Sequence, residues 1–334
     1  MAYRNQHYVP QAYLKAWTDS NDKLYVLNKN KSIHKHSKTD SILYSPNLYT
    51  RTVRDELILT PEDIESIFGK LKDYIIKING VIIDDINEYA NQYAFFDKWE
   101  IFNKDETLAR KKQIKHEIDT VRITTTEHRW DQIENRWNEL KEKIEKFIFE
   151  KKETLSSNDL NQLHNFIVAQ KWRTPKSIQY YRDMISEEIE RNEVQFVEQY
   201  GEISEEAIDQ FALAYFKKKL MGYQDKDEKS HIIKEIELAG QYTIVFYVTE
   251  SENYFYTSDN PVFTLIDAEF HNSMFNGMYF PVTPRILCAI CKGDPNEIIV
   301  GTMGIELLEE FNELIIKNSQ NYFISLLEIE QNNM

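Results

Sequence analysis

Three short stretches place polar side chains where local structure alone gives them little to do. In Asn5-Gln6-His7-Tyr8-Val9-Pro10, an imidazole stands just ahead of a helix start, where it could give or take a proton near neutral pH. In residues 158–173, a turn of about 100° per residue groups Leu160, Leu163, Phe166, Ile167 and Gln170 on one helix face. Arg173 lies at the edge of that face, one turn beyond Gln170. An unpaired amide on a core-facing stripe costs about 1–3 kcal/mol and a charge costs more, so these groups are either paired inside or line a cavity. In Tyr256-Thr257-Ser258-Asp259-Asn260-Pro261, a strand end presents a hydroxyl and a carboxylate, although Asp, Asn and Pro there also make an ordinary turn. Pro281-Val282-Thr283-Pro284 interrupts a second strand in a similar way.

In order, these stretches resemble the bacterial family called domain of unknown function 4238. The hallmarks of that family stand here as His7-Tyr8-Val9-Pro10-Gln11, Gln170-Lys171-Trp172-Arg173-Thr174-Pro175, Thr257-Ser258-Asp259-Asn260-Pro261 and Pro281-Val282-Thr283-Pro284. A later Asn318-Ser319-Gln320-Asn321-Tyr322 matches its ending. The departures are Ala12, where an aromatic is usual, and Val282 for Leu; neither touches a polar group. The resemblance implies that the polar residues form one site, and it brings no reaction with it.

The chemistry these residue types could do is phosphodiester cleavage by a nuclease-like effector, in anti-phage defence or as a toxin. His7 would serve as general base or acid, and Arg173 would hold a phosphate bidentately. Asp259 would orient the imidazole or a bound metal, while Gln170 and Ser258 position substrate, with Asn260 and Thr283 beside them. Two other readings remain open. One is attack on a nucleotide such as NAD, with Asp259 at the ribose. The other is a non-catalytic binding or scaffold protein in which the same groups form a buried network. The cofactor is unknown; a divalent metal is compatible with the reading, but no ligand cluster is evident. His34 and His36 share a strand face without a third ligand, and Cys288-Ala289-Ile290-Cys291 lies in an apolar run without a second pair, so neither reads as a metal or redox site. Arg122 and His128 resemble the spacing of a HEPN-type ribonuclease motif, but the intervening threonines favour a helix break.

Bulk properties bound these readings. The chain has 334 residues, 42% hydrophobic and 28% charged, enough for a real core. Its net charge of -15 argues against a nucleic-acid-coated protein. Residues 1–54 nevertheless carry +6 and the remainder -21, so Lys29, Lys31 and Lys35 could line the rim of a nucleotide or nucleic-acid site. The surface leaves open a protein partner or a homo-oligomer. Two cysteines imply a reducing compartment, no run reaches 18 apolar residues, and MAYRNQHYVP lacks a signal-peptide core. Cytoplasmic residence and no membrane span are the expectations.

The elements expected to carry these residues make an α+β chain: predominantly helical, with an N-terminal β-hairpin and a small mixed or antiparallel C-terminal sheet. It reads as a single domain over 1–334 with three sub-regions. These are a basic module with the hairpin (1–54), a helical body (55–240) and a β-rich segment (241–334). Thr60-Pro61-Glu62-Asp63 opens a helix expected to run to about Ile78. Further helices are expected over 127–150, 157–172, from Pro175 to about Gln199, from Ser204, and from Gly304 to Lys317.

Overall fold

A computed structural model describes residues 5–30, 33–55, 59–123, 128–192, 203–224, 230–250, 253–265, 277–295 and 297–328. Its contacts divide the chain into two compact units, neither continuous in sequence. Unit 1 contains Asn47–Glu127 and Ile178–Met221; unit 2 contains Asn5–Pro46, His128–Ser177 and Gly222–Met334. These units cut across the expected sub-regions 1–54, 55–240 and 241–334.

The first described residues, from Asn5, lie in unit 2. Strand β1 (Asn5–His7) leads through Pro10 into helix α1 (Gln11–Leu14), extended by a 3₁₀ turn over Lys15–Trp17. Proline suits this entry because the first helical N–H groups have no intrahelical partner. Strands β2 (Leu24–Asn28) and β3 (Ile33–Ser37) pair antiparallel, and β4 (Tyr44–Pro46) returns to pair with β1.

In unit 1, Thr60 caps helix α2 (Pro61–Phe68) in a reciprocal capping box with Asp63, as the residue types require. The helix ends there and does not reach Ile78. A 3₁₀ turn over Gly69–Asp73 leads into strand β5 (Tyr74–Ile78), which pairs with β6 (Val81–Ile83). Both turn residues have positive φ, Asn79 at 50° and Gly80 at 79°, the backbone that an Asn-Gly hairpin turn demands. Helix α3 (Ile86–Asn91) and a 3₁₀ segment (Tyr93–Lys98) precede β7 (Trp99–Asn103), which pairs with the other edge of β5. Helix α4 (Lys111–Thr120) follows, and Phe68, Ile76, Trp99 and Ile114 meet in the core of this unit.

Back in unit 2, α5 (His128–Glu145) buries Trp130, Trp137, Leu140 and Ile144 at helical spacing. Helix α6 (Ser157–Trp172) starts on a second capping box, Ser156 with Asp159, and buries Leu163, Phe166, Ile167 and Gln170. Thr174-Pro175 ends it and starts α7 (Pro175–Arg191), which from Ile178 onward belongs to unit 1 together with most of α8 (Glu205–Gln224). Helix α9 (His231–Ala239) then precedes strands β8 (Thr243–Thr249), β9 (Thr257–Ser258), β10 (Phe263–Leu265), β11 (Gly277–Thr283), β12 (Ile286–Cys291) and β13 (Ile298–Met303). Helix α10 (Ile305–Asn318) and β14 (Tyr322–Ser325) finish the unit.

The sheets correct the expected fold class. Among the described residues there are four, with strand orders β1-β4, β6-β5-β7, β3-β2-β14-β9 and β10-β11-β12-β8-β13. Helix is about 49% and strand about 24%, so helix dominance with an N-terminal hairpin and one small C-terminal sheet does not describe this chain. β2 and β3 do not stand alone as a hairpin module: β14, almost 300 residues later, zips against β2 and is itself flanked by β9. The physical reason is that a bare two-stranded ribbon is marginal, and partners from far along the chain complete its face. Nor does Pro281 interrupt a strand. It sits within β11, where the register with β12 shifts between Pro281 and Thr283, a bulge that accommodates the missing N–H. Strand β12 is buried along its whole length, so Cys288 and Cys291 are core residues with free thiols.

Candidate functional site

The first link between the motifs is a guanidinium. Arg173 caps the C-terminus of α6, and its side chain is 3% exposed. Nη2 donates to the carbonyl oxygen of His7 at 2.7 Å, and Nη1 donates to Glu134 Oε1 at 2.6 Å. Its Cζ lies 4.4 Å from the Trp130 ring centroid. A buried arginine is tolerable when its fork is met by a carboxylate and a carbonyl and its face by an aromatic ring, and all three are present.

The second link starts at the next residue. The Thr174 hydroxyl donates to Asn260 Oδ1 at 3.0 Å. Asn260 Nδ2 donates to the Asn318 carbonyl at 3.4 Å, and Asn318 Nδ2 donates back to the carbonyls of Asn260 and Val262. Beside them, Asp259 is 3% exposed. Its Oδ1 accepts the backbone N–H of Gln320 at 2.8 Å, and its Oδ2 accepts those of Asn321 at 2.7 Å and Tyr322 at 2.9 Å. The carboxylate therefore spends both oxygens holding the turn that feeds β14. Burial raises its proton affinity above the usual carboxylate range, against the pull of those three donors and of Lys29.

A third link joins α1 to the sheet. The Tyr13 hydroxyl donates to the Pro281 carbonyl at 2.8 Å, and the Thr257 hydroxyl lies 2.6 Å from it. Trp17 Nε1 donates to the Phe255 carbonyl at 3.1 Å. Around these bonds Tyr13, Trp137, Phe166 and Phe280 pack ring against ring, with Trp137 and Phe166 stacked at 4.0 Å.

Every motif singled out in the sequence, including the late Asn318–Tyr322, is thus tied to another by hydrogen bonds within unit 2. The members behave differently. His7 is half-buried in β1, its ring edge-on to Tyr44 at 5.7 Å. Burial lowers its proton affinity below the ordinary histidine value. A hydrogen bond to the Ile42 backbone and the charges of Glu134 and Asp40 oppose that, and Arg173 reinforces it. Gln170 is 1% exposed, and its Oε1 has no hydrogen-bond partner among the described residues. Ser258 Oγ accepts the Asn260 N–H at 3.1 Å, and Thr283 Oγ1 accepts the Arg285 N–H at 3.2 Å, both local turn bonds.

The lysines divide. Lys29 Nζ donates to the carbonyls of Lys317 and Ser319 at the end of α10, and Lys176 Nζ donates to Asn318 Oδ1 at 2.6 Å. Both act as caps for C-terminal carbonyls. Lys35 is exposed on β3, 5.9 Å from the Tyr322 ring centroid. Lys31 lies outside the described residues, as do the side chain of His128 and the threonine run before it.

Sequence reasoning missed Glu134, Lys176 and the hydroxyl of Tyr13. Glu134 had a usable signal: it follows Trp130 by one turn, at the margin of the apolar stripe of α5, where a carboxylate needs a cationic partner. Among the described residues, no group of three or more His, Cys, Asp and Glu side chains could hold a metal ion. No described helix is long and apolar enough to cross a membrane.

A family model described as "Protein of unknown function (DUF4238)" matches residues 5–326, and the chain belongs to that family. No curated protein and no solved structure matches it.

Proposed function

We propose that in this family member the motif residues form a polar clamp, and that the chain is a binding or scaffold protein whose unit 2 the clamp holds in register. One observation carries the reading: the two charged groups best suited to catalysis, Arg173 and Asp259, are buried and already paired within the protein. A catalytic charge has to meet the reacting atoms. Here the guanidinium meets Glu134 and a carbonyl, and the carboxylate meets three backbone N–H groups. His7 enters the network through its carbonyl oxygen, which any residue would supply.

A second reading rests on the His7 ring. It stays partly exposed, with Glu134 close enough to act on its proton affinity, and Glu134 is itself held by Arg173. Under this reading His7 is an acid–base group backed by Glu134 instead of Asp259. The reaction is phosphodiester or nucleotide hydrolysis by a bacterial, cytoplasmic effector of the defence or toxin kind.

One experiment separates them. Pure protein is incubated with mixed RNA, DNA and nucleotides, with and without magnesium or manganese, and products are read by mass spectrometry. The clamp reading expects the His7→Ala variant and the parent to give the same product profile as buffer. A product that the parent makes and His7→Ala does not would replace it with the second reading.

A further inference from the structure

Unit 1 carries a solvent-open pocket of about 820 Å³, within the roughly 300–1,000 Å³ span of small-molecule sites. It is independent of the motif network, because its lining residues all belong to unit 1. Part of its wall is apolar: Met184 and Ile185 on α7, Phe211 on α8, and Phe95 from the 3₁₀ turn after α3. Met184 keeps 38% of its surface exposed, an apolar side chain that the fold leaves uncovered.

The charges of the lining have the opposite character. Among the described residues, the charged side chains of the lining are Glu88, Glu187, Glu188 and Arg191. That guanidinium is engaged by its own helix, with Nη2 3.0 Å from Glu187 and Nη1 3.6 Å from Glu188. Two lysines stand near lining rings without being part of the wall: Lys219, 4.7 Å from the ring centroid of Tyr215, and Lys98, 5.1 Å from that of Phe95. The described lining therefore carries three carboxylates against one guanidinium beside its apolar residues.

We propose that this pocket binds a small amphiphilic cation, with an alkyl or aryl body against Met184, Ile185, Phe211 and Phe95 and an ammonium group among Glu88, Glu187 and Glu188. Burial of the body supplies affinity without direction, and the carboxylates supply the sign. An anion of equal chain length would make the same apolar contacts and meet repulsion at the same groups.

Calorimetric titration of the full chain with decyltrimethylammonium and with decanoate, both below micelle formation and at low salt, tests this. The expected result is saturable one-to-one binding of the cation, about tenfold tighter than that of decanoate. The exposed pair Glu187→Gln and Glu188→Gln, combined in one variant, should remove most of that difference. A filling variant, Ile185→Trp, should abolish binding of both probes; its circular dichroism checks that it folds. Equal affinity for the two probes, binding that does not saturate at one per chain, no binding of the cation, or an unchanged preference in the Gln variant would each overturn the proposal.

Discussion

Replacing Asp259 with Asn changes one buried oxygen to an amide and removes one charge. In the parent, Oδ2 takes two backbone N–H groups and Oδ1 takes one. The best fit of the substituted side chain puts its amide oxygen at the Oδ2 position. Two bonds survive as neutral ones, each weaker by about 1 kcal/mol than its charge-assisted counterpart. The third is lost, and the new NH₂ points at the N–H of Gln320, leaving a donor unmet at about 1–3 kcal/mol. An amide is cheaper to bury than a carboxylate, which returns part of this. The net expectation is a loss of about 2–4 kcal/mol. Urea unfolding, followed by hydrogen exchange of unit 2 peptides so that unit 1 does not mask the transition, measures it. His7→Ala serves as the contrast, since the carbonyl that Arg173 uses remains; it should cost under about 1 kcal/mol. If Asp259→Asn unfolds with the parent while a binding or turnover activity disappears, the carboxylate has a chemical role and the clamp reasoning fails.

Three other outcomes follow from the same geometry. Glu134→Gln keeps an acceptor oxygen for Arg173 but removes the charge that balances its buried guanidinium, and should destabilise unit 2 by about 2–3 kcal/mol, below the usual range for a broken buried pair because Glu134 is 24% exposed; since Glu134 raises the proton affinity of His7, a nuclear magnetic resonance titration of that imidazole should move to lower pH. His164 is buried, neither of its ring nitrogens has a hydrogen-bond partner among the described residues, and burial lowers its pKa to about 4. The folded state thus binds fewer protons than the unfolded chain, so its contribution is complete above the ordinary histidine value of about 6.5 and is lost as pH falls toward 4, by about 3 kcal/mol; urea midpoints across that window should show the slope, and His164→Leu should flatten it. In unit 1, Lys217 donates to the Asp55 carboxylate at 2.7 Å and to the Thr50 carbonyl, and both charged side chains are almost fully buried. Lys217→Met should cost about 3–5 kcal/mol in thermal or urea unfolding, and adding Asp55→Asn should recover part of it.

The legible parts of the sequence were those whose signals are local. Thr60 stands three residues before Asp63 and opens a helix where a capping box belongs, the start of the next helix at Ser157 was read with its cap, Ser156, unnoticed, and Thr174-Pro175 closes α6. Arg173 at the edge of a core-facing stripe also signalled a need for partners, and it finds the Glu134 carboxylate and the His7 carbonyl. Strand β5 was not read, because Ile75, Ile76 and Ile78 continue the helical spacing of α2. The Asn79-Gly80 turn was the overlooked signal, and once it is taken as a hairpin the β-branched run before it becomes a strand. β7 was missed for the same reason, since its sheet partner lies outside any local window. The four-stranded sheet could not be foreseen because β14 joins β2 across nearly the whole chain. Within the site, residue types suggested a catalytic set, but what each polar atom faces depends on partners such as Glu134 and the 320–322 backbone, and spacing does not carry that.

The central claim is that the motif carboxylate is spent on the backbone of residues 320–322. Native-state hydrogen exchange at the amides of Gln320, Asn321 and Tyr322 tests it most directly. The clamp account predicts protection on the scale of the unit 2 core strands, lowered in Asp259→Asn at all three amides and most at Gln320, whose hydrogen bond is the one lost. Exchange of those three amides at the rate of an open loop in the parent chain would contradict it.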